Sequence, residues 1–157
     1  MPIPQRQGQM ALSNDGGDPD TRGMGSSGTV RVDHKEGDLF EIAVRQHLLH
    51  VDQPVESGGT DAAPTPTELL VASLASCVAF YVRRFLSRHR LPVTGLSVVI
   101  EFTTAERPAR IDQMHVSIGL PHGVPAGRHA ALLAVASHCA VHTTLQVPPS
   151  VQFALVA

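Results

Sequence analysis

Residues 65–90 read TPTELLVASLASCVAFYVRRFLSRHR, and the reading of that stretch decides the fold. Thr65 suits an N-cap, Pro66 suits the first helical position, and Glu68 three residues after the cap closes a capping box. About six turns follow without Gly or Pro. Leu69, Leu70, Val71, Leu74, Val78, Phe80, Tyr81 and Phe85 wrap most of the circumference, with Ala72, Ala75 and Ala79 between them. Charge returns only at Arg83, Arg84, Arg88 and Arg90, where cations suit the helix dipole. A helix apolar nearly all round is a buried one. The expectation is a central helix carrying Cys77 at its midpoint.

The remainder of the 157 residues must supply the cover for that helix. This length is most simply one domain. With 12 basic against 14 acidic residues, no charge excess invites nucleic acid or an anionic membrane. No run of about 18 apolar residues free of charge suggests a membrane span. The first ten residues, MPIPQRQGQM, lack the apolar core of a secretory signal. The expected location is therefore the cytoplasm, where two cysteines more naturally act as free or redox-active thiols than as a staple.

Residues 1–27 are rich in Gly, Pro, Ser, Asn and Asp and are expected to be a disordered tail, with one domain over 28–157. From Thr29 the pattern alternates, turns at Lys35–Asp38, and resumes at Leu39–Arg45, which predicts a hairpin. His47–Val51 predicts a third strand, and Asp52–Asp61 a loop leading to the capped helix. Beyond the helix, Leu96–Thr104 and Arg110–Leu120 predict two more strands. In the second of these, Asp112, Met114, Val116, Ile118 and Leu120 form the face expected to be buried. Ala126 to about Cys139 predicts a second helix, His142–Leu145 a further helical turn, and Val151–Leu155 a final strand. The order βββ-α-ββ-α-β indicates an α+β fold with a mostly antiparallel sheet around the long helix.

The chemical inventory is short. No phosphate-binding glycine loop, HExxH, CxxC or GxSxG occurs. Cys77, Cys139 within His138-Cys139-Ala140-Val141-His142, the arginines and nine histidines remain. Cys77 can be read as a small apolar residue in a packed helix, or as a reactive thiol. Cys139 can be read as part of a helix terminus beside solvated imidazoles. A zinc set drawn from Cys77, Cys139, His138 and His142 matches no established spacing, so no metal is expected.

APTPTELLVASLASC, residues 63–77, and HCAVHTTL, residues 138–145, carry a family resemblance. The first resembles the first-cysteine helix of the osmotically inducible protein C and organic hydroperoxide resistance (OsmC/Ohr) family. The second resembles that family's second-cysteine segment, usually Cys-Pro-x-x-x-Thr-Leu. The lead-in RQHLLHVDQP and GGTDAAPTP resembles a less characterised branch, and the whole likeness runs from Gly28 to Ala157. It implies an intertwined homodimer and a peroxidase acting on organic hydroperoxides. Cys77 is implied as peroxidatic, Cys139 as resolving, and an external dithiol or protein as reductant, with no cofactor. An alternative implied function is a non-catalytic dimer binding an apolar molecule at its interface.

The resemblance also implies an arginine beside the first cysteine. Arg45 is the candidate and Arg31 the second choice, since Arg84 lies about 10 Å along the helix from Cys77. The family's orienting glutamate falls at Thr67 here, with Glu68 next to it, and Ala140 stands where many relatives have Pro. An apolar pocket lined by Leu74, Phe80, Tyr81 and the partner subunit is expected to favour alkyl chains. Burial supports the dimer independently. A helix apolar over so much of its surface needs more cover than about 130 residues supply, and Ala72, Ala75 and Ala79 permit a second copy to approach closely.

Overall fold

A computed structural model describes residues 27–156. The expected disordered tail lies outside the described residues, Ser27 excepted. Strands β1 (Val30–Glu36), β2 (Leu39–Val44) and β3 (His47–Val51) form an antiparallel sheet in the order β1-β2-β3. Helix α1 (Pro66–Arg88) follows, then the antiparallel hairpin β4 (Ser97–Glu106) and β5 (Ala109–Gly119), then α2 (His129–Ala136) and α3 (Ala140–Gln146). The fold is α+β with antiparallel sheets, as expected.

Helix α1 begins as its sequence dictates. The Glu68 amide donates to Thr65 Oγ1 at 3.2 Å, and the Thr65 amide donates to Glu68 Oε2 at 2.7 Å, so the capping box is complete. Its buried residues are Val71, Leu74, Val78, Val82 and Leu86, a single stripe at helical spacing. Around that stripe gather Leu132, Ala136 and Cys139, with Val98 and Ile100 of β4 and Met114, Val116 and Ile118 of β5 against them. The expectation of burial all round is therefore corrected for the single chain. Leu70 and Phe80 are 42% and 49% exposed, and Ala72 and Ser76 are also open. By length and hydropathy alone α1 could cross a membrane, with a mean of 1.6 over its best window. Its covered stripe is what the core helix of a soluble protein also shows, so this carries no membrane assignment.

Three further expectations need correction. The second helix ends at Ala136, short of Cys139, and a distinct α3 starts at Ala140. Residues 151–156 form no strand, and Phe153 and Leu155 are fully exposed. An alternating apolar segment becomes a strand only where an edge pairs with it, and none does so among the described residues. Finally, Asp112 is exposed while Ile111 is half-buried. A bulge in the β4–β5 register, where Thr103 faces Gln113 and Thr104 faces Ile111, leaves Asp112 unpaired and reverses the alternation.

The first sheet is two-sided by register. Val30, Val44 and His47 lie opposite one another, as do Val32, Ile42 and Leu49, and Phe40 faces Val51. One face is thus almost wholly apolar. Within the chain α1 packs chiefly on β4, β5, α2 and α3, only Pro66 at its start shares a hollow with Phe40 and Val51 of this sheet among the described residues, and Val30 and Val32 are 60% and 53% exposed.

The loop between β3 and α1 is built on one carboxylate. Asp52 is buried and accepts from the amides of Gln53 (2.8 Å), Thr60 (3.1 Å) and Ala62 (3.0 Å) and from Thr60 Oγ1 (2.7 Å). These donors, the Ala62 amide foremost and Thr60 Oγ1 next, lower its pKa from 3.8 to about 2 against the opposing effect of burial. At Gly59 a Cβ would lie 2.0 Å from the Gln53 carbonyl oxygen, so any side chain there forces the loop open. The stabilisation from Asp52 is present above the unfolded pKa of 3.8 and is lost as pH falls through the folded value of about 2. In thermal melts Asp52→Asn should lower Tm at neutral pH, and the gap from wild type should close between these two values. A gap that is constant with pH would show that the charge of Asp52 has no part in holding the loop.

Candidate thiol site

Two elements bring the cysteines together. Cys77 lies midway along α1, three residues after Leu74 and one before Val78, so it borders the buried stripe and is itself half-buried. Cys139 ends the short connection between α2 and α3 and is the N-cap of α3, with an extended backbone (φ −68°, ψ 150°). Its Sγ accepts from the His142 amide at 3.4 Å. Cys139 is wholly buried in the cluster with Leu74, Val78 and Ala136, and Cys77 packs against that cluster. Both are free thiols.

Their environments differ. Burial pushes the Cys139 thiol above its usual pKa, the His142 amide pulls it back, and the adjoining Cys77 pushes it up further. An adjacent second sulfur that is partly open to solvent and a first that is fully enclosed constitute a dithiol with one accessible member. The imidazoles beside Cys139 are not loose. His138 Nδ1 lies 2.6 Å from the Ala134 carbonyl, and His142 Nδ1 is hydrogen-bonded to the Ser137 carbonyl. A carbonyl oxygen only accepts, so each Nδ1 carries the hydrogen and each Nε2 stays free. Among the described residues no group of three or more His, Cys, Asp or Glu is placed to hold a metal ion.

The other expected site residues lie elsewhere. Arg45 was expected on the second strand but occupies the β2–β3 turn with φ 54° and is exposed. Arg31 is on β1 and pairs with Asp33 at 2.9 Å on the surface. The sheet bearing Arg31 is not among the main packing partners of α1 within the chain. Glu68 is exposed, sits about 13 Å along the axis from Cys77, and serves the capping box. Thr67 and Glu68 share a groove with Arg110 of β5, which also pairs with Asp112. Sequence reasoning missed Arg110, since only the hairpin's folding back brings it to the start of α1. The expected pocket is also revised. Leu74 and Phe80 are about 120° apart on the helix, and they line separate hollows on opposite flanks.

A family model described as OsmC-like protein matches residues 58–154, a span containing both cysteines. The chain belongs to this family. Solved structures agree at the level of fold. An OsmC-like protein from Mycoplasma pneumoniae superposes with a TM-score of 0.69 at 14% identity, covering 78% of this chain and 89% of that one. A Psychrobacter arcticus protein described as an osmotic stress induced and detoxification response protein gives 0.70 at 21% identity, covering 78% and 90%. An organic hydroperoxide resistance protein OsmC from Legionella pneumophila gives 0.57 at 20%, covering 75% and 89%. No curated protein matches the chain.

For this OsmC-like protein the contrast between the thiols yields a direct expectation. Under limiting iodoacetamide at neutral pH, peptide mass spectrometry should find Cys77 alkylated at least about tenfold faster than Cys139, because Cys139 is enclosed and burial raises its thiol pKa. Equal rates would mean that the enclosure of Cys139 does not persist in solution.

Proposed function

We propose that the protein is a homodimeric thiol peroxidase that reduces organic hydroperoxides in defence against oxidative stress. The observation that carries this reading is the pairing of a half-buried thiol at mid-helix with a fully buried thiol beside it. In the first step the Cys77 thiolate attacks the distal oxygen of the hydroperoxide. The O–O bond breaks, an alkoxide leaves and takes a proton as alcohol, and Cys77 becomes a sulfenic acid. The Cys139 thiolate then attacks the Cys77 sulfur, the S–O bond breaks, and hydroxide leaves as water. An external dithiol, small or protein-borne, reduces the resulting disulfide by exchange. No metal or cofactor enters this scheme, and the cytoplasm supplies the reductant.

A thiolate in an apolar wall needs a cation. Arg45 is the proposed donor, delivered by the partner's first sheet, and Glu68 at the start of α1 is the proposed carboxylate to orient it. The dimer is supported by what one chain leaves uncovered: the apolar face of β1–β3, the open flank of α1, and the segment around Phe153 and Leu155. An interface of more than about 2,000 Å² would cover surface of this kind. A second reading, a non-catalytic dimer that binds an apolar molecule, is favoured by the placement of Arg31 and Arg45 away from Cys77 within the chain.

Thiol counting separates the two. Sub-stoichiometric alkyl hydroperoxide should consume two free thiols per chain turned over, whereas a binder loses none. Cys77→Ser should abolish peroxide consumption, and Cys139→Ser should complete one turnover and trap a sulfenic acid on Cys77. Trapping it on Cys139 with Cys77 intact would reverse the assignment. Arg45→Ala should slow Cys77 alkylation near neutral pH, and unchanged kinetics in a folded variant would remove Arg45 from the site. In sedimentation at low micromolar concentration a dimer is expected, and an active monomer of 16.7 kDa would refute the shared site.

A further inference from the structure

Charge is divided unevenly along the chain. Residues 30–68 hold eight carboxylates against three Lys and Arg, and residues 69–157 hold three against seven. No Asp or Glu stands between Glu68 and Glu101, and Arg83, Arg84, Arg88 and Arg90 fall inside that gap. All four are exposed, and among the described residues none forms an ion pair. Two of the three acidic groups of the second half sit at the other end of α1. Glu106 shares the groove of Thr65, Thr67 and Glu68, and Asp112 pairs with Arg110 of that groove. The helix dipole accounts for Arg88, the one cation in the last turn, but not for Arg83 and Arg84 before it. Arg84 and Arg88 follow Cys77 by seven and eleven residues, so they lie within about 20° of it on one face of α1. The Arg84 guanidinium lies 5.5 Å from the centre of the Phe80 ring, over a residue only three positions past Cys77.

We infer that this arginine face is a docking surface for the acidic face of a dithiol protein, which reduces a disulfide at Cys77. Charge selects a compact acidic partner. A long polyanion crossing the arginines would run on toward the carboxylate-rich half of the chain, whereas a small acidic face stays within the patch. Guanidinium groups are also the cations whose fork matches a carboxylate two bonds at a time. The position selects the chemistry. Cys139 is enclosed, so an incoming thiolate meets the Cys77 sulfur. Its attack breaks the S–S bond, and the sulfur formerly joined to Cys77 leaves as a thiolate and takes a proton. The partner's second thiolate then attacks its own sulfur in the mixed disulfide and releases the Cys77 thiolate. The partner's dithiol ends as a disulfide, and the disulfide at Cys77 ends as two thiols. That such a disulfide arises from hydroperoxide rests on the proposed peroxidase reading. The docking surface does not, since any disulfide at Cys77 presents the same sulfur beside the same arginines.

The test therefore forms the disulfide without hydroperoxide. Treating the full chain with DTNB places Cys77 in a disulfide, either with the reagent or with Cys139. Three synthetic dithiol peptides then reduce it, each a Cys-Gly-Pro-Cys core flanked by aspartates, serines or lysines. Free Cys77 is followed by alkylation and peptide mass spectrometry. Each rate is divided by that peptide's rate on hydroxyethyl disulfide, which removes differences in intrinsic thiol reactivity. At low salt the aspartate peptide should react at least about tenfold faster than the lysine peptide, with the serine peptide between them. At about 0.5 M salt the three should converge. The double variant Arg84→Gln/Arg88→Gln should lower the aspartate rate about threefold or more and leave the serine rate unchanged. Should that variant fail to fold, the salt dependence of the wild type reads the same surface. Equal rates at low salt, a preference for lysine, or a full aspartate preference in the folded double variant overturns the inference. So does a double variant that sediments as a monomer, which would give the arginines to a second copy. Binding of a short DNA duplex or of anionic lipid vesicles, lost in the double variant, would give them to a polyanion and also overturn it. A protein that shows the aspartate preference yet consumes no hydroperoxide would lose the peroxidase reading and keep the docking surface.

Discussion

The contact on which the molecule depends is the one between the buried stripe of α1 and the short segment from Leu132 to Cys139. Val82, Leu86, Leu132 and Cys139 are at most 2% exposed, and Leu74, Val78 and Ala136 little more. Each fully buried Leu or Val contributes about 2 kcal/mol by removal from water. The stripe cannot be closed by β4 and β5 alone, because a two-stranded sheet covers only part of a helix. The α2–α3 segment closes it, and its last buried member is a cysteine. The meeting of the two thiols is therefore a consequence of core packing. Reactive groups held by a packed core keep their separation without a dedicated scaffold.

The same packing sets the two sulfurs in different surroundings. A residue on the edge of the α1 stripe is half open, whereas a residue that plugs the stripe is shut in. Enclosure raises the cost of ionising Cys139, and its cap contact with the His142 amide offsets only part of that cost. The thiol on α1 thus keeps solvent access, and the one that plugs the stripe does not. Around this centre the chain leaves apolar surface on both sides, namely one face of the first sheet and one flank of α1.

What was legible in the sequence was what local chemistry controls. Thr65, Pro66 and Glu68 announce a helix start because every bond of the capping box lies within four residues. The turn at Gly37 is legible for a similar reason, since that residue takes a positive φ of 51°. Non-local choices were not legible. The segment at 151–155 has the alternation of a strand, but strand formation needs an edge, and sequence does not say which edge is free. Arg45 has no Gly-like signature, yet it takes a positive φ and so leaves the strand for the turn. The reversal at Ile111–Asp112 follows from a bulge that no residue type announces. The adjacency of Cys77 and Cys139 came from family resemblance rather than from their 62-residue separation.

Ala140, where many relatives carry Pro, illustrates how a departure from a motif can be judged physically. It raised the question of whether the turn after Cys139 is altered. Ala140 is the first helical residue of α3, directly after the Cys139 cap. Proline is favoured at that position because the first helical amide has no partner within the helix and because a φ near −65° is already helical. Alanine lacks the ring but has the best helix propensity, and it leaves the same amide free. Both residues therefore support the same local geometry: an extended cap residue, its sulfur accepting from the third residue of the helix, and the helix leading away. The cost of alanine falls on the unfolded chain, which is less restrained without the ring, rather than on the approach of the two sulfurs. The motif's requirement at this position is a helix start that turns Cys139 inward toward α1, and His142 completes it through its main-chain amide.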